Sequence, residues 1–179
     1  MKYEVPGSAP ETLLKSHHMA IPWHDMVETG DGSVPAAEAS LKEKTTLAAR
    51  IGLMTLSVGT SAWRVRRSLN LVSRALKMSC SADIGLLTLE LTCFDENDSY
   101  TEAFSLRTAG VNTDKLDALE KLVNSFEQTA GETSIEEYHR YLDELEKRPG
   151  NYPAAALGLA AAFACCAFTF LLGGGPSNC

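Results

Sequence analysis

The spacing of hydrophobic positions changes several times along the chain, and each change marks an element. Leu47, Ile51, Met54 and Val58 recur at helical spacing and stop at Gly59, which predicts a helix from about Leu41 ended by a glycine. Thr60 or Ser61 can cap a second helix, on which Ala62, Val65, Leu69, Val72 and Leu76 form one apolar stripe. The period then drops to two. In Leu87-Thr88-Leu89-Glu90-Leu91-Thr92-Cys93 apolar and polar residues alternate, the mark of a strand with one buried face. Asp95 to Ser99 has turn composition, Tyr100 to Leu106 reads as the return strand, and Cys80 to Ile84 as a shorter strand before them.

Helical spacing returns in Leu116, Leu119, Leu122, Val123 and Phe126, after a cap at Thr113-Asp114. It recurs in Ile135, Tyr138, Leu142 and Leu145, where Ser134 and Glu137 form a capping box and Pro149-Gly150 ends the helix. The expected fold class is α+β, a small antiparallel sheet packed with amphipathic helices. A different pattern follows. From Pro153 to Leu172 the chain reads PAAALGLAAAFACCAFTFLL, without a charge and with one hydroxyl, Thr169. Twenty helical residues reach about 30 Å, so this stretch predicts one Ala-rich transmembrane helix. The competing reading is a helix buried among partners: Ala drives insertion weakly, and Ala154, Gly158, Ala162 and Cys166 make a small-residue face that permits close helix approach.

Residues 1–40 are rich in Pro, Gly, Ser and acids and show no sustained period, so they read as a disordered tail. The expected organisation is this tail, a domain over 41–150, and the transmembrane helix with a short tail over 151–179. Net charge is −7, and every charged side chain lies at or before Arg148. An acidic domain has no electrostatic attraction for nucleic acid or anionic lipid, so no nucleic-acid partner is expected. The amino end, MKYEVPGSAPETLL, is not a secretory signal. Lys147 and Arg148 directly precede the apolar helix, and the positive-inside bias then places the domain in the cytoplasm.

Candidate chemistry is sparse. The five Cys are odd in number and have no C-x-x-C spacing, so they read as apolar fillers rather than a disulfide framework. His17, His18 and His24 lack a Cys or carboxylate at ligand spacing, and no metal is expected. Arg66, Arg67, Arg74 and Lys77 form the wet face opposite the second helix's stripe, while Arg64 on its flank can reach a groove or a partner. His139 and Asp143 share a helix face, but beside Glu136, Glu137 and Arg140 the histidine is expected to be solvated. With no P-loop, dinucleotide fingerprint, nucleophile elbow or zincin motif, no catalytic residue and no cofactor is expected.

Several segments occur in a telling order: Ala49-Arg50-Ile51-Gly52, Gly59 followed by Arg64-Val65, the strand hairpin, Gly110-Val111-Asn112-Thr113-Asp114-Lys115-Leu116, Tyr152-Pro153, and Phe170-Leu171-Leu172-Gly173-Gly174-Gly175. Over roughly residues 45–175 this series resembles the amino-terminal domain of the threonine/serine exporter family. The resemblance marks Gly59, Val65, Gly110, Asn112, Tyr152, Pro153, Gly173 and Gly174 as family motif residues. It departs at Arg66, where the family usually carries Glu.

The resemblance implies part of an integral-membrane transporter of the cell membrane. It would export small amino acids of the threonine/serine kind, or related small carboxylates, with the soluble domain as cytoplasmic gate or assembly module. Its expected partners are the remaining transmembrane bundle or a second membrane subunit, in an oligomer, because the family continues into further helices and this chain reads as truncated after the first. Arg64 and Lys115 are the candidate contacts to an anionic substrate or to that bundle. The alternative is a membrane-tethered ligand-sensing or interaction module without transport activity of its own.

Overall fold

Ser40 starts the first helix. Its hydroxyl accepts from the Glu43 amide at 3.3 Å, and the Glu43 carboxylate accepts from the Ser40 amide at 3.0 Å, so two otherwise orphaned donors are satisfied reciprocally. The helix that follows, α1 (Leu41–Ser57), ends at Gly59, whose φ of +75° is one an L side chain rarely adopts. The computed structural model describes residues 21, 23–27, 34–148 and 152–174. The chain divides into two units, Met1–Lys147 and Arg148–Cys179.

In the first unit α1 is the central element, because it is buried nearly all round: Leu47, Ala48, Ala49, Arg50, Ile51 and Gly52 are consecutive buried residues. It packs against α2 (Ala62–Ala75), against the sheet, and against α4 (Ile135–Lys147). A Cβ added at Gly52 would stand 2.9 Å from a Leu89 methyl and 3.1 Å from a Leu69 methyl. Glycine there lets α1 approach the sheet and α2 together. The sheet is antiparallel in the order β1 (Ser79–Ile84), β2 (Thr88–Phe94), β3 (Ser99–Ser105). Leu89, Leu91 and Cys93 point from β2 into the core, as their period of two requires. α3 (Thr113–Thr129) and α4 close the unit, and α3 buries Leu119, Val123 and Phe126.

Four details differ from the sequence reading. The cap of α3 is Asn112, whose side chain accepts from the Lys115 amide at 3.0 Å, rather than Thr113-Asp114. Cys80 and Cys93 are not fillers but a disulfide. The β1–β2 register sets them directly opposite one another with Cα atoms 4.2 Å apart, a cross-strand relation that an odd count and sequence spacing do not reveal.

The third difference concerns the segment read as a tail, which contributes to the unit wherever it is described. Ala36 is fully buried, and the Ala36 and Ala37 amides donate to the Thr133 and Ala130 carbonyls at 2.9 and 3.0 Å. Trp23–Met26 forms a 3-10 turn against α1 and α4. Small residues that pair through their backbone leave no periodic trace, which is why the sequence hid them. The rest of residues 1–33, and with it that part of the tail reading, lies outside the described residues, as does the stop at Pro149-Gly150.

The second unit holds α5 (Ala154–Leu171), an 18-residue helix that exposes Leu157, Leu159, Phe163, Phe168 and Phe170. Pro153 fixes its start, and Gly173 with φ +84° fixes its stop. The expected twenty-residue span is therefore corrected to a rise of about 27 Å, short of the hydrocarbon thickness of about 30 Å. Among the described residues no helix is long and apolar enough to cross a membrane.

Candidate functional site

Arg50 is the unexpected residue of the core. It sits in mid-α1 at 1% exposure, and a buried charge must be matched by partners. α4 supplies them from one face, at i, i+4 and i+7. Arg50 Nη1 donates to the His139 carbonyl at 3.0 Å and lies 3.0 Å from His139 Nδ1. Nη2 donates to the Asp143 carboxylate and, at 3.4 Å, to Glu146. The segment around Trp23 covers the assembly. The Trp23 ring lies 5.5 Å from the guanidinium carbon, stacks on His139 at 6.4 Å, and packs on Phe104 at 5.3 Å. His24 reaches the other Asp143 oxygen at 2.9 Å.

The charges of this cluster follow from its geometry. Burial first, then the neighbouring Arg50 guanidinium and the nearby His24, push the His139 pKa down to about 3. His139 is thus neutral at pH 7. Because a guanidinium only donates, Nδ1 must accept and Nε2 must carry the proton. That Nε2 is buried and without a partner among the described residues, as is Arg50 Nε. Partial burial opposes ionisation of Asp143, but the hydrogen bonds from Arg50 and His24 outweigh it and hold the carboxyl below its ordinary range.

A groove of about 610 Å³ opens beside the cluster. Trp23, Leu53 and Met54 give it apolar wall, and Arg50, Asp143, Glu146, Asp25 and Arg107 line it with charge of both signs. The volume suits a small polar molecule. The groove's lining offers carboxylate oxygens to an ammonium and cationic side chains to an anion.

The residues singled out in the sequence fall elsewhere. Arg64 Nη1 donates to Glu120 on α3 at 2.6 Å and its guanidinium lies 5.3 Å from the Trp63 ring. Lys115 Nζ donates to the Glu146 carbonyl at 2.7 Å, at the negative end of α4. Neither lines the groove. The glycine motifs, by contrast, meet. The Gly110 and Asn112 amides donate to the Ser57 and Val58 carbonyls at 2.9 and 3.2 Å, and a Cβ on Gly59 would stand 3.2 Å from the Val111 backbone. Val65 lies in the core. In the second unit Pro153 caps α5, Gly173 and Gly174 end it with the Gly174 amide donating to Thr169 at 2.9 Å, and Tyr152 is exposed.

Two expectations are corrected here. His139 is fully buried rather than solvated, because it shares the stripe of Ile135 and Leu142 while the neighbouring charges face away. His24 is paired rather than part of a solvated tail. Arg50 itself entered the sequence reading only within a motif, although a charge three positions from both Leu47 and Leu53 is the signal that could have found it. Residues 46–179 match the family model described as "putative threonine/serine exporter". No curated protein and no solved structure gives a match.

Proposed function

The chain belongs to the threonine/serine exporter family, and from that premise we propose that it is a component of a membrane transporter that exports small amino acids of the threonine/serine kind or related small carboxylates. The observation that carries the reading is the family match, which runs from the middle of α1 through α5. Membership implies association with a membrane and a transporter rather than a catalyst. In this reading the first unit lies in the cytoplasm as gate or assembly module, consistent with Lys147 and Arg148 preceding α5. α5 lies in the cell membrane packed against further helices, of a remaining bundle or a second subunit in an oligomer, rather than as a lone span. Its short length and its small residues Gly158, Ala162 and Cys166 favour such packing. The groove supports a gating role, since Asp143 and Glu146 offer carboxylates to a substrate ammonium. For Arg64 or Lys115 to contact substrate or bundle, Glu120 or the Glu146 carbonyl must be displaced.

A second reading, a membrane-tethered ligand-sensing module, draws support from the 18-residue length of α5 and from the groove. Efflux separates the two. Cells loaded with a threonine-containing dipeptide should release threonine faster when the full chain is expressed. Unchanged release of threonine, serine and small dicarboxylates, with the chain present in the membrane fraction, overturns the exporter reading in favour of the sensing module.

A further inference from the structure

Among the described residues, the exposed face of α2 is the strongest concentration of unanswered charge. Trp63, Arg66, Arg67, Asn70 and Arg74 stand at i, i+3, i+4, i+7 and i+11, so they share one side of the helix. They line a single shallow hollow of about 580 Å³. Trp63 is 61% exposed, unusual for an indole on a water-facing helix. Unlike Arg50 and Arg64, which are paired, Arg66, Arg67 and Arg74 enter no ion pair among the described residues. Lys77 follows just past the helix and, with Arg74, lines one side of an adjoining hollow whose other side carries Asp95 and Glu96. From Ala62 to Ala82 there is no acidic residue, although the chain as a whole carries −7.

Net charge alone had argued against anionic lipid, but charge is segregated here, and a local patch within a Debye length of a surface is what that surface feels. We propose that this face of α2 docks on anionic phospholipid headgroups, with Arg66, Arg67, Arg74 and Lys77 meeting phosphates and Trp63 entering the interfacial layer. The partner is argued from three observations. The charge is complementary to an anionic leaflet. An exposed indole beside unpaired arginines matches the amphipathic residues that settle at headgroup depth. The family's membrane association brings such a surface within reach of the chain. The inference rests on that association and not on export.

The test reconstitutes the full chain, with Trp23→Phe so that Trp63 is the remaining tryptophan, into phosphatidylcholine vesicles with or without phosphatidylglycerol. Acyl chains brominated near the headgroup end serve as quencher. Trp63 emission should shift to the blue and be quenched when phosphatidylglycerol is present, and return to its exposed value in high salt or in Arg66→Gln/Arg67→Gln/Arg74→Gln. Should Trp23→Phe disturb the groove, the difference between wild type and Trp63→Phe reads the same signal. Emission that ignores phosphatidylglycerol, or quenching that survives the triple variant, overturns the proposal. So does a response to an oligonucleotide in place of one to the lipid. A transporter that exports threonine yet shows no such quenching loses this inference alone.

Discussion

Arg50 shows how one side chain organises its surroundings. A guanidinium at 1% exposure cannot lose its charge, so the partners on α4 must hold theirs. Removing them is therefore asymmetric. Asp143→Ala strands the arginine and should cost about 2 kcal/mol, somewhat below the range for a fully enclosed pair because one edge of Asp143 meets water. Arg50→Met leaves Asp143 free to hydrate and should cost about 1 kcal/mol or less. Urea midpoints of the full chain in micelles check the order; equal losses would contradict it.

His139 gives the domain a pH dependence of fixed sign. Its folded pKa, about 3, lies below the ordinary histidine value near 6.5, so between those values the unfolded chain binds a proton that the folded one refuses. Stability is full above about pH 6.5 and falls with decreasing pH, at up to ~1.4 kcal/mol per unit. Asp143, also depressed, adds a loss in the same direction at lower pH. His139→Gln should flatten the curve between pH 7 and pH 5, measured by the same denaturation. At this scale the sequence was least legible. A histidine among charges looks solvated until the helix is turned so that Ile135, His139 and Leu142 face inward together.

Elements were more legible, because they are set by period and by local chemistry. The alternation of Leu89, Leu91 and Cys93 named β2, and Ser134 with Glu137 named the start of α4, where the Ser134 amide indeed donates to Glu137 at 3.1 Å. Partnerships between elements were hidden. Gly59 reads as a helix stop, yet its lack of a side chain also admits the Gly110-Val111-Asn112 segment. Two penalties therefore act on Gly59→Ala: a left-handed φ, costing about 1–2 kcal/mol, and a Cβ within 3.1 to 3.2 Å of Val111. Gly110→Ala, with open space around its Cβ, should cost clearly less. Thermal unfolding of the two variants tests the difference, and similar losses would mean that Val111 does not hold the turn.

At the scale of the whole molecule, the order of motifs identified the family while their physical setting came from the structure. The α+β unit followed from hydrophobic spacing, but its amino-terminal border did not, since Ala36 and Trp23 join it through backbone pairing and ring stacking that leave no period. The apolar run at residues 153–172 was plain in the sequence, whereas its helix is trimmed at both ends by Pro153 and Gly173. In the proposed exporter this 18-residue helix, with so little polar surface, is surrounded by lipid, by other helices, or by both. The direct measurement is an alkaline carbonate wash of membranes from cells expressing the full chain. An exporter component with α5 embedded among other helices stays in the washed membranes, and protease reaches the first unit only in inverted vesicles. Release of a folded chain into the wash, or its recovery in the cytosol, would contradict the account.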